Sequence, residues 1–151
     1  MNAAVIVAWL HYLSFMVLFA ALTAEHLLTR KPMTPAEIRR VGIIDAIYGA
    51  AFIAVVVTGT MKLLRYGRGL EFYLRAWQFH AKIMIVLVTF LISIYPTLVF
   101  LKYRRRAQAI DEDERLVMPA GLKHGLRLEL VLVCLIPLFA AALARAVGQF
   151  E

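Results

Sequence analysis

The sequence has few of the residues and motifs that build small soluble domains. Its single cysteine, Cys134, cannot form an intrachain disulfide, and no CxxC spacing of a zinc site is present. Only 18% of its 151 residues are charged. It also has no P-loop and no arrangement resembling a nucleophilic triad. These absences exclude a disulfide-rich domain, a zinc module and a P-loop enzyme.

What is present in excess is apolar side chains. Hydrophobic residues make up 62% of the chain, and the mean hydropathy is +0.76, whereas soluble domains are roughly 45–50% apolar. Spanning a bilayer takes about 20 mostly apolar residues, and four stretches qualify, at about 4–28, 41–64, 77–101 and 128–147. None shows the alternation of a barrel strand, so each is predicted to be a helix. We therefore expect a single membrane domain over residues 1–151.

The connections between the spans are short, which favours antiparallel neighbours and predicts an all-α, up-down four-helix bundle. Thr34, Pro35 and Glu37 have the pattern of a helix start, with Thr34 as the cap. The first span is not expected to be a cleaved signal peptide, because the chain begins without Lys or Arg and its apolar run is too long.

The basic residues predict an orientation in the membrane. Lys and Arg are enriched in cytoplasmic loops. Eleven lie in or beside the first and third loops, against five at the opposite side, which places these loops in the cytoplasm and both termini outside (periplasmic). The eleven are Arg30, Lys31, Arg39, Arg40, Lys102, Arg104, Arg105, Arg106, Arg115, Lys123 and Arg127, and the five are Lys62, Arg65, Arg68, Arg75 and Arg145.

The basic run Lys102–Arg106 contributes to the net charge of +7. Next to a membrane span such a run is expected to meet anionic lipid headgroups rather than nucleic acid. The expected partner is therefore the lipid bilayer, and the sequence leaves open whether the chain forms a homo-oligomer.

Ionisable residues inside the spans form two layers. Such groups are costly in lipid and usually face the protein interior. The layer predicted near the outer end contains His11, His80, Lys82 and Arg145, and the layer near the cytoplasmic end contains Glu25, Asp45, Arg127 and Glu129.

Helical spacing indicates which members of these layers can face inward. His11 and Glu25 share one face of the first helix, because they are fourteen residues apart with Leu18 between them. Asp45, Phe52 and Gly59 share a face of the second span in the same way. His80 and Lys82 lie about 200° apart on one helix, so they cannot both point straight into one cavity.

These layers leave several functions open. Two histidines at matching depth, His11 and His80, can hold a b-type haem, with Lys82 or Arg145 pairing its propionates. Haem iron held by His11 alone, or a quinone, is equally allowed. Alternatively, Glu25, Asp45 and Glu129 can relay protons. A purely structural network that fixes helix register is a further alternative, and the sequence does not decide whether the protein is an enzyme.

Several motifs resemble a bacterial family of inner-membrane proteins classed only as a domain of unknown function. They are "LHYLSF" with Glu25, "DAIYG" (45–49), "TG" (58–59), "FYLRAWQFHAK" (72–82), "SIYPT" (93–97), "LELVLVCLIPL" (128–138) and "AR" (144–145). The resemblance implies four helices, a bacterial inner membrane and no assigned activity. The resemblance implies that the characteristic residues of the family are, in this sequence, His11, Glu25, Asp45, Tyr48, Gly49, Lys82, Pro96, Glu129 and Arg145. At the position of His80 the family more often has an aromatic residue.

A more distant likeness is to the HemJ-type membrane protoporphyrinogen oxidases, which bind haem b. The stretch "WQFHAKIMIVL" (77–87) and "RLE" (127–129) are similar to theirs, and His11 could stand for their first-helix histidine. This likeness implies haem b as a cofactor. The leading hypothesis is therefore a haem-b- or quinone-linked membrane redox protein. The alternative is a non-enzymatic membrane subunit or a small proton-linked transporter with a structural polar core.

Overall fold

A computed structural model describes residues 2–66 and 70–145 as an all-helical chain. The helices are α1 (Ala3–Leu28), α2 (Pro35–Arg65), α3 (Leu70–Arg75), α4 (Trp77–Arg106) and α5 (Ala120–Ala144). The four long helices are apolar enough to cross a membrane, and each exceeds the hydrocarbon thickness of about 30 Å. The predicted fold class, an all-α membrane bundle with four spanning helices, is confirmed.

The helices extend beyond the predicted spans at several ends. α2 begins at Pro35 rather than 41, α4 continues to Arg106 rather than 101, and α5 begins at Ala120 rather than 128. Apolar runs mark only the part of a helix that lies in hydrocarbon, whereas polar turns continue the helix into the interface. Arg68 and residues 146 and 147 of the fourth predicted span lie outside the described residues.

The start of α2 shows why that helix begins before its apolar run. The Glu37 amide donates to the Thr34 hydroxyl, and the Thr34 amide donates to Glu37 Oε2 at 2.8 Å. This capping box satisfies two backbone donors that would otherwise lack partners. The cap expected from the sequence is therefore present.

The four long helices pack in a ring. α1 packs on α2 and α4 on α5, while α2–α4 and α1–α5 contacts close the bundle. We call the end with connections 29–34 and 107–119 the loop end, and the opposite end, where α1 starts and α5 finishes, the terminal end. At the loop end Met33 and Leu116 exchange two backbone hydrogen bonds of 2.9 Å, which join the two connections.

The tightly packed core lies mainly in the loop-end half. Its fully buried members include Leu22, Phe100, Leu122 and Leu126. Large apolar side chains such as Trp9 remain exposed on the outer faces, as expected where lipid is the solvent. The terminal half is less filled, and a cavity lies there between the helices.

Candidate functional site

Three carboxylates from three helices meet in the loop-end half of the bundle. Glu25 of α1 and Glu129 of α5 are each only 1% exposed, and Asp45 of α2 is partly buried. The Glu25 carboxyl group interacts electrostatically with both of the others. Together with two hydroxyl groups, from Tyr48 and Thr97, these residues form what we call the carboxylate cluster.

The hydroxyl groups of the cluster donate hydrogen bonds to two of its carboxyl groups. The Tyr48 hydroxyl donates to Glu129 Oε1, and the Thr97 hydroxyl of α4 donates to Asp45 Oδ1 at 2.9 Å. The remaining carboxyl group differs, because Glu25 Oε1 is buried and has no hydrogen-bond partner. A buried polar atom without a partner costs free energy, so this oxygen is the least satisfied part of the cluster.

Among the described residues, no basic side chain forms an ion pair with the cluster. Within the described ranges the ion pairs are Arg39–Glu112 and Arg75–Glu71, both on the surface. Arg127, which the sequence grouped with these carboxylates, is exposed, because it lies about 200° around α5 from the inward Glu129.

The terminal half contains a pocket of about 300 Å³ that we call the cationic pocket. Its polar side chains include His11 of α1, Lys62 of α2 and Lys82 of α4. The aromatic rings of Tyr12, Phe72, Tyr73 and Phe79 form much of its wall. None of the residues that line it is acidic.

A hydrogen bond orients the imidazole of His11. Its Nδ1 lies 2.9 Å from the Thr58 hydroxyl oxygen, and that hydroxyl lies 2.6 Å from the carbonyl of Ala54. A hydroxyl group has one hydrogen, and the carbonyl can only accept it. His11 Nδ1 is therefore the donor to Thr58, which in a neutral imidazole leaves the lone pair on Nε2.

A glycine gives the imidazole its space. A Cβ atom on Gly59 would lie 3.2 Å from His11 Cε1, which is closer than ordinary van der Waals contact. Gly49, ten residues earlier on the same helix, has no atom within 4 Å of its Cβ position. The sequence placed Gly59 on the face of Asp45, and the structure shows that it lies against His11.

The two lysines of the pocket have no carboxylate partner in the described chain. Lys62 Nζ lies 4.6 Å above the Tyr12 ring and 3.5 Å from its hydroxyl oxygen. Lys82 is partly buried. The ammonium groups of Lys82 and Lys62 both repel a positive charge on the His11 imidazole. The pocket therefore carries uncompensated positive charge.

Two residues predicted for the same layer do not reach this pocket. His80 is exposed, and its Nδ1 donates to the Ala76 carbonyl of its own helix at 3.1 Å. Arg145 is exposed at the end of α5. On α4 Lys82 takes the inward position, and His80, about 200° away, cannot share it. A haem ligated by His11 and His80 together does not fit this arrangement.

Aromatic rings lie between the two sites. The Phe52 ring contacts those of Tyr48 and Phe90, with centroid distances of 6.2 and 5.8 Å. The helical rise places Asp45 and Thr58 about 20 Å apart along α2. The carboxylate cluster and the cationic pocket are thus separate sites with apolar side chains between them.

Several residues at the two sites were not identified as site residues from the sequence. Nothing in the sequence around Thr97, apart from the preceding proline, indicated that its hydroxyl group contacts Asp45. Phe72 and Tyr73 belong to the six-residue helix α3, which lies between the predicted spans 41–64 and 77–101. Their position on the pocket depends on contacts between elements distant in sequence.

Comparison with known proteins identifies the family but no activity. No curated protein and no solved structure matched the chain, so these comparisons add no support for the likeness to the HemJ-type enzymes. A family model described as a predicted membrane protein (DUF2214) matches residues 3–148. This match confirms the resemblance to a membrane family of unknown function, and the chain therefore belongs to the DUF2214 family of predicted membrane proteins.

Proposed function

We propose that this protein is a small proton-linked membrane transporter whose proton-binding site is the carboxylate cluster. The observation that carries the proposal is the burial of Glu25 and Glu129, each 1% exposed, without an ion pair in the described residues. Isolated charges in an apolar interior are strongly unfavourable, and such groups become neutral instead. A proton is the smallest ligand that removes the charge of a carboxylate.

Glu25 is the member best suited to gain and lose this proton. Glu129 and Asp45 already accept hydrogen bonds from Tyr48 and Thr97, which stabilise the charged form of a carboxylate. Glu25 Oε1 has no such donor. Binding of a proton would convert the Glu25 carboxylate into a neutral carboxyl group, and release would restore a charge that must be compensated elsewhere.

The geometry favours a proton over a metal ion at this place. In the part of the chain that the structure describes, no three His, Cys, Asp or Glu side chains lie close enough to hold one metal ion. A divalent cation generally needs several oxygen ligands at short distance. Protonation of a single carboxylate requires no such convergence.

Replacing Glu25 with glutamine tests the proton site. In proteoliposomes with a trapped pH-sensitive dye and a clamped membrane potential, we expect Glu25→Gln to reduce proton flux at least about tenfold, because an amide cannot exchange the proton. Glu114→Gln, at an exposed loop position, is the matched control and should keep the wild-type flux.

A structural role for Glu25 gives a different result. If proton flux through the Glu25→Gln variant equals that of the wild type, or the wild type shows none above empty liposomes, the transport proposal is wrong. The cluster would then serve to fix helix register. Thermal unfolding in detergent checks that the variant is folded in either case.

A redox protein that binds haem b or a quinone is the second candidate, favoured by His11 and the cationic pocket. Nδ1 of His11 donates to Thr58, so Nε2 can accept a ligand or a proton. Lysines can pair the carboxylates of a haem or donate to the oxygens of a quinone. In this arrangement His11 acts without His80.

An absorption spectrum tests haem binding. If His11 holds the iron, protein purified in detergent shows a Soret band after addition of haem, His11→Ala removes it, and His80→Ala keeps it. The His80 variant is the control, because that side chain lies outside the pocket. Absence of a Soret band in the wild type, or its persistence in His11→Ala, would remove the haem hypothesis.

We infer that the loop end faces the cytoplasm of a bacterium, with both termini periplasmic. The excess of Lys and Arg in the first and third loops supports this orientation. The family match supports a membrane protein, and the orientation points to the inner membrane.

Cysteine labelling tests the orientation. In a Cys134→Ser background, a membrane-impermeant maleimide on intact spheroplasts should label Arg65→Cys at the terminal end. It should reach Asp113→Cys at the loop end only after permeabilisation. The reverse pattern would overturn the orientation.

The basic run at the end of α4 is proposed to bind anionic phospholipid. A cavity at this end of α4 is lined by Lys102, Arg105 and Arg106 together with Leu98 and Leu101. The basic side chains can contact the anionic headgroup of a phospholipid, and the leucines can contact its acyl chains. Each basic residue near an anionic surface contributes about 1 kcal/mol.

Thermal stabilisation by added lipid tests this contact. Phosphatidylglycerol should stabilise the detergent-purified wild type more than phosphatidylcholine, and Arg105→Gln should weaken this effect. Arg104→Gln is the matched control, because Arg104 does not line the cavity and its Cδ lies 3.8 Å from the Cβ position of Gly42. An equal loss of stabilisation by phosphatidylglycerol in both variants would indicate general charge attraction and would contradict a specific lipid site.

A further inference from the structure

We propose that the cationic pocket binds an organic monocarboxylate with an apolar, ring-sized body, which would be the anion moved with the proton. The identification as cargo rests on the proposed transport function. The binding site itself rests on the pocket alone, through its charge and its aromatic wall.

Among the described residues, the lysines of the pocket have no acidic partner. Lys62 and Lys82 face the same cavity, and none of the residues lining it is acidic. The described ion pairs involve neither lysine. Two ammonium groups beside a low-dielectric interior repel each other, and an ionisable residue within a span usually has a partner. A bound carboxylate would supply that partner for both.

The wall of the pocket indicates the rest of the ligand. Phe72 and Tyr73 of α3 and Phe79 of α4 line it, and the rings of Tyr73 and Phe79 lie 5.6 Å apart. Such rings offer flat apolar surfaces against which a ring or a short hydrocarbon body packs. Acetate or inorganic phosphate would pair with the lysines but leave this surface without contact.

The size of the pocket sets the scale of the ligand. A volume of about 300 Å³ lies at the lower end of the range for small-molecule sites, about 300–1,000 Å³. A single ring with one carboxylate suits it better than a dinucleotide or a peptide. Ala140 and Leu143 of α5 add further apolar atoms to its lining.

Benzoate is the probe for this site, since it combines one carboxylate with one ring. We expect benzoate to raise the unfolding temperature of the detergent-purified full chain and to bind in equilibrium dialysis. Benzamide, which has the same shape without the charge, and acetate, which has the charge without the ring, should each bind at least about tenfold more weakly, because each lacks one of the two interactions.

Substitutions in the pocket locate the binding. Lys82→Gln should weaken benzoate binding about tenfold, the usual effect of losing one charge-assisted hydrogen bond, and Lys82→Arg should retain much of it. Arg65→Gln is the matched control, because it also removes one positive charge from the terminal end of the bundle, and Arg65 does not line the pocket. Its benzoate affinity should stay within about twofold of the wild type.

The results separate this proposal from the function on which it partly depends. No binding of benzoate to the wild type, equal binding of benzamide, or an equal loss in Lys82→Gln and Arg65→Gln overturns the pocket as a carboxylate site. Displacement of benzoate by phosphatidylglycerol vesicles at low concentration would assign the pocket to a lipid headgroup and overturn it too. Glu25→Gln should bind benzoate normally. Wild-type protein that binds benzoate but shows no proton flux above empty liposomes refutes transport alone.

Discussion

The free-energy cost of an unpaired charge in an apolar interior governs the arrangement of this bundle. Among the side chains that face the inside of the bundle, the acidic ones Glu25, Asp45 and Glu129 lie in the loop-end half, and Lys62 and Lys82 lie in the terminal half. The two halves lie about 20 Å apart along the helices, so the opposite charges cannot pair. Each half therefore has charge without a partner among the described residues, and the proton and the organic anion proposed above match these signs.

Packing explains why the two halves can differ. The loop end is closed by the paired backbones of Met33 and Leu116 and by the densely buried core that includes Leu22 and Phe100. The carboxylate cluster lies within this half, where side chains have little room to move. The terminal half has no comparable core among the described residues. It contains the cationic pocket, which is lined by aromatic side chains and by two lysines. The densely packed half leaves room for a proton only, whereas the pocket in the other half leaves room for a small molecule.

The sequence predicted the spans well because long apolar runs have few alternative structures in a membrane. Spacing also indicated that Glu25 and Asp45 lie on inward-facing sides, since helical periodicity is a local property. It could not choose between His80 and Lys82, because the choice depends on how α4 is rotated against its neighbours. The aromatic wall was beyond prediction for a similar reason, since the short helix α3 is placed by tertiary contacts rather than by its own six residues.

Tyr48 belongs both to the carboxylate cluster and to the group of aromatic rings beside it. Its hydroxyl group donates to Glu129 in the carboxylate cluster, and its ring packs on Phe52, which in turn contacts Phe90 toward the terminal half. A change in the charge of the cluster alters the strength of the hydrogen bond that holds Tyr48, because a carboxylate accepts more strongly than a neutral acid. In a close-packed interior a displaced ring moves its neighbours. Tyr48 therefore joins the hydrogen bonds of the carboxylate cluster to the aromatic packing that lies between the two sites.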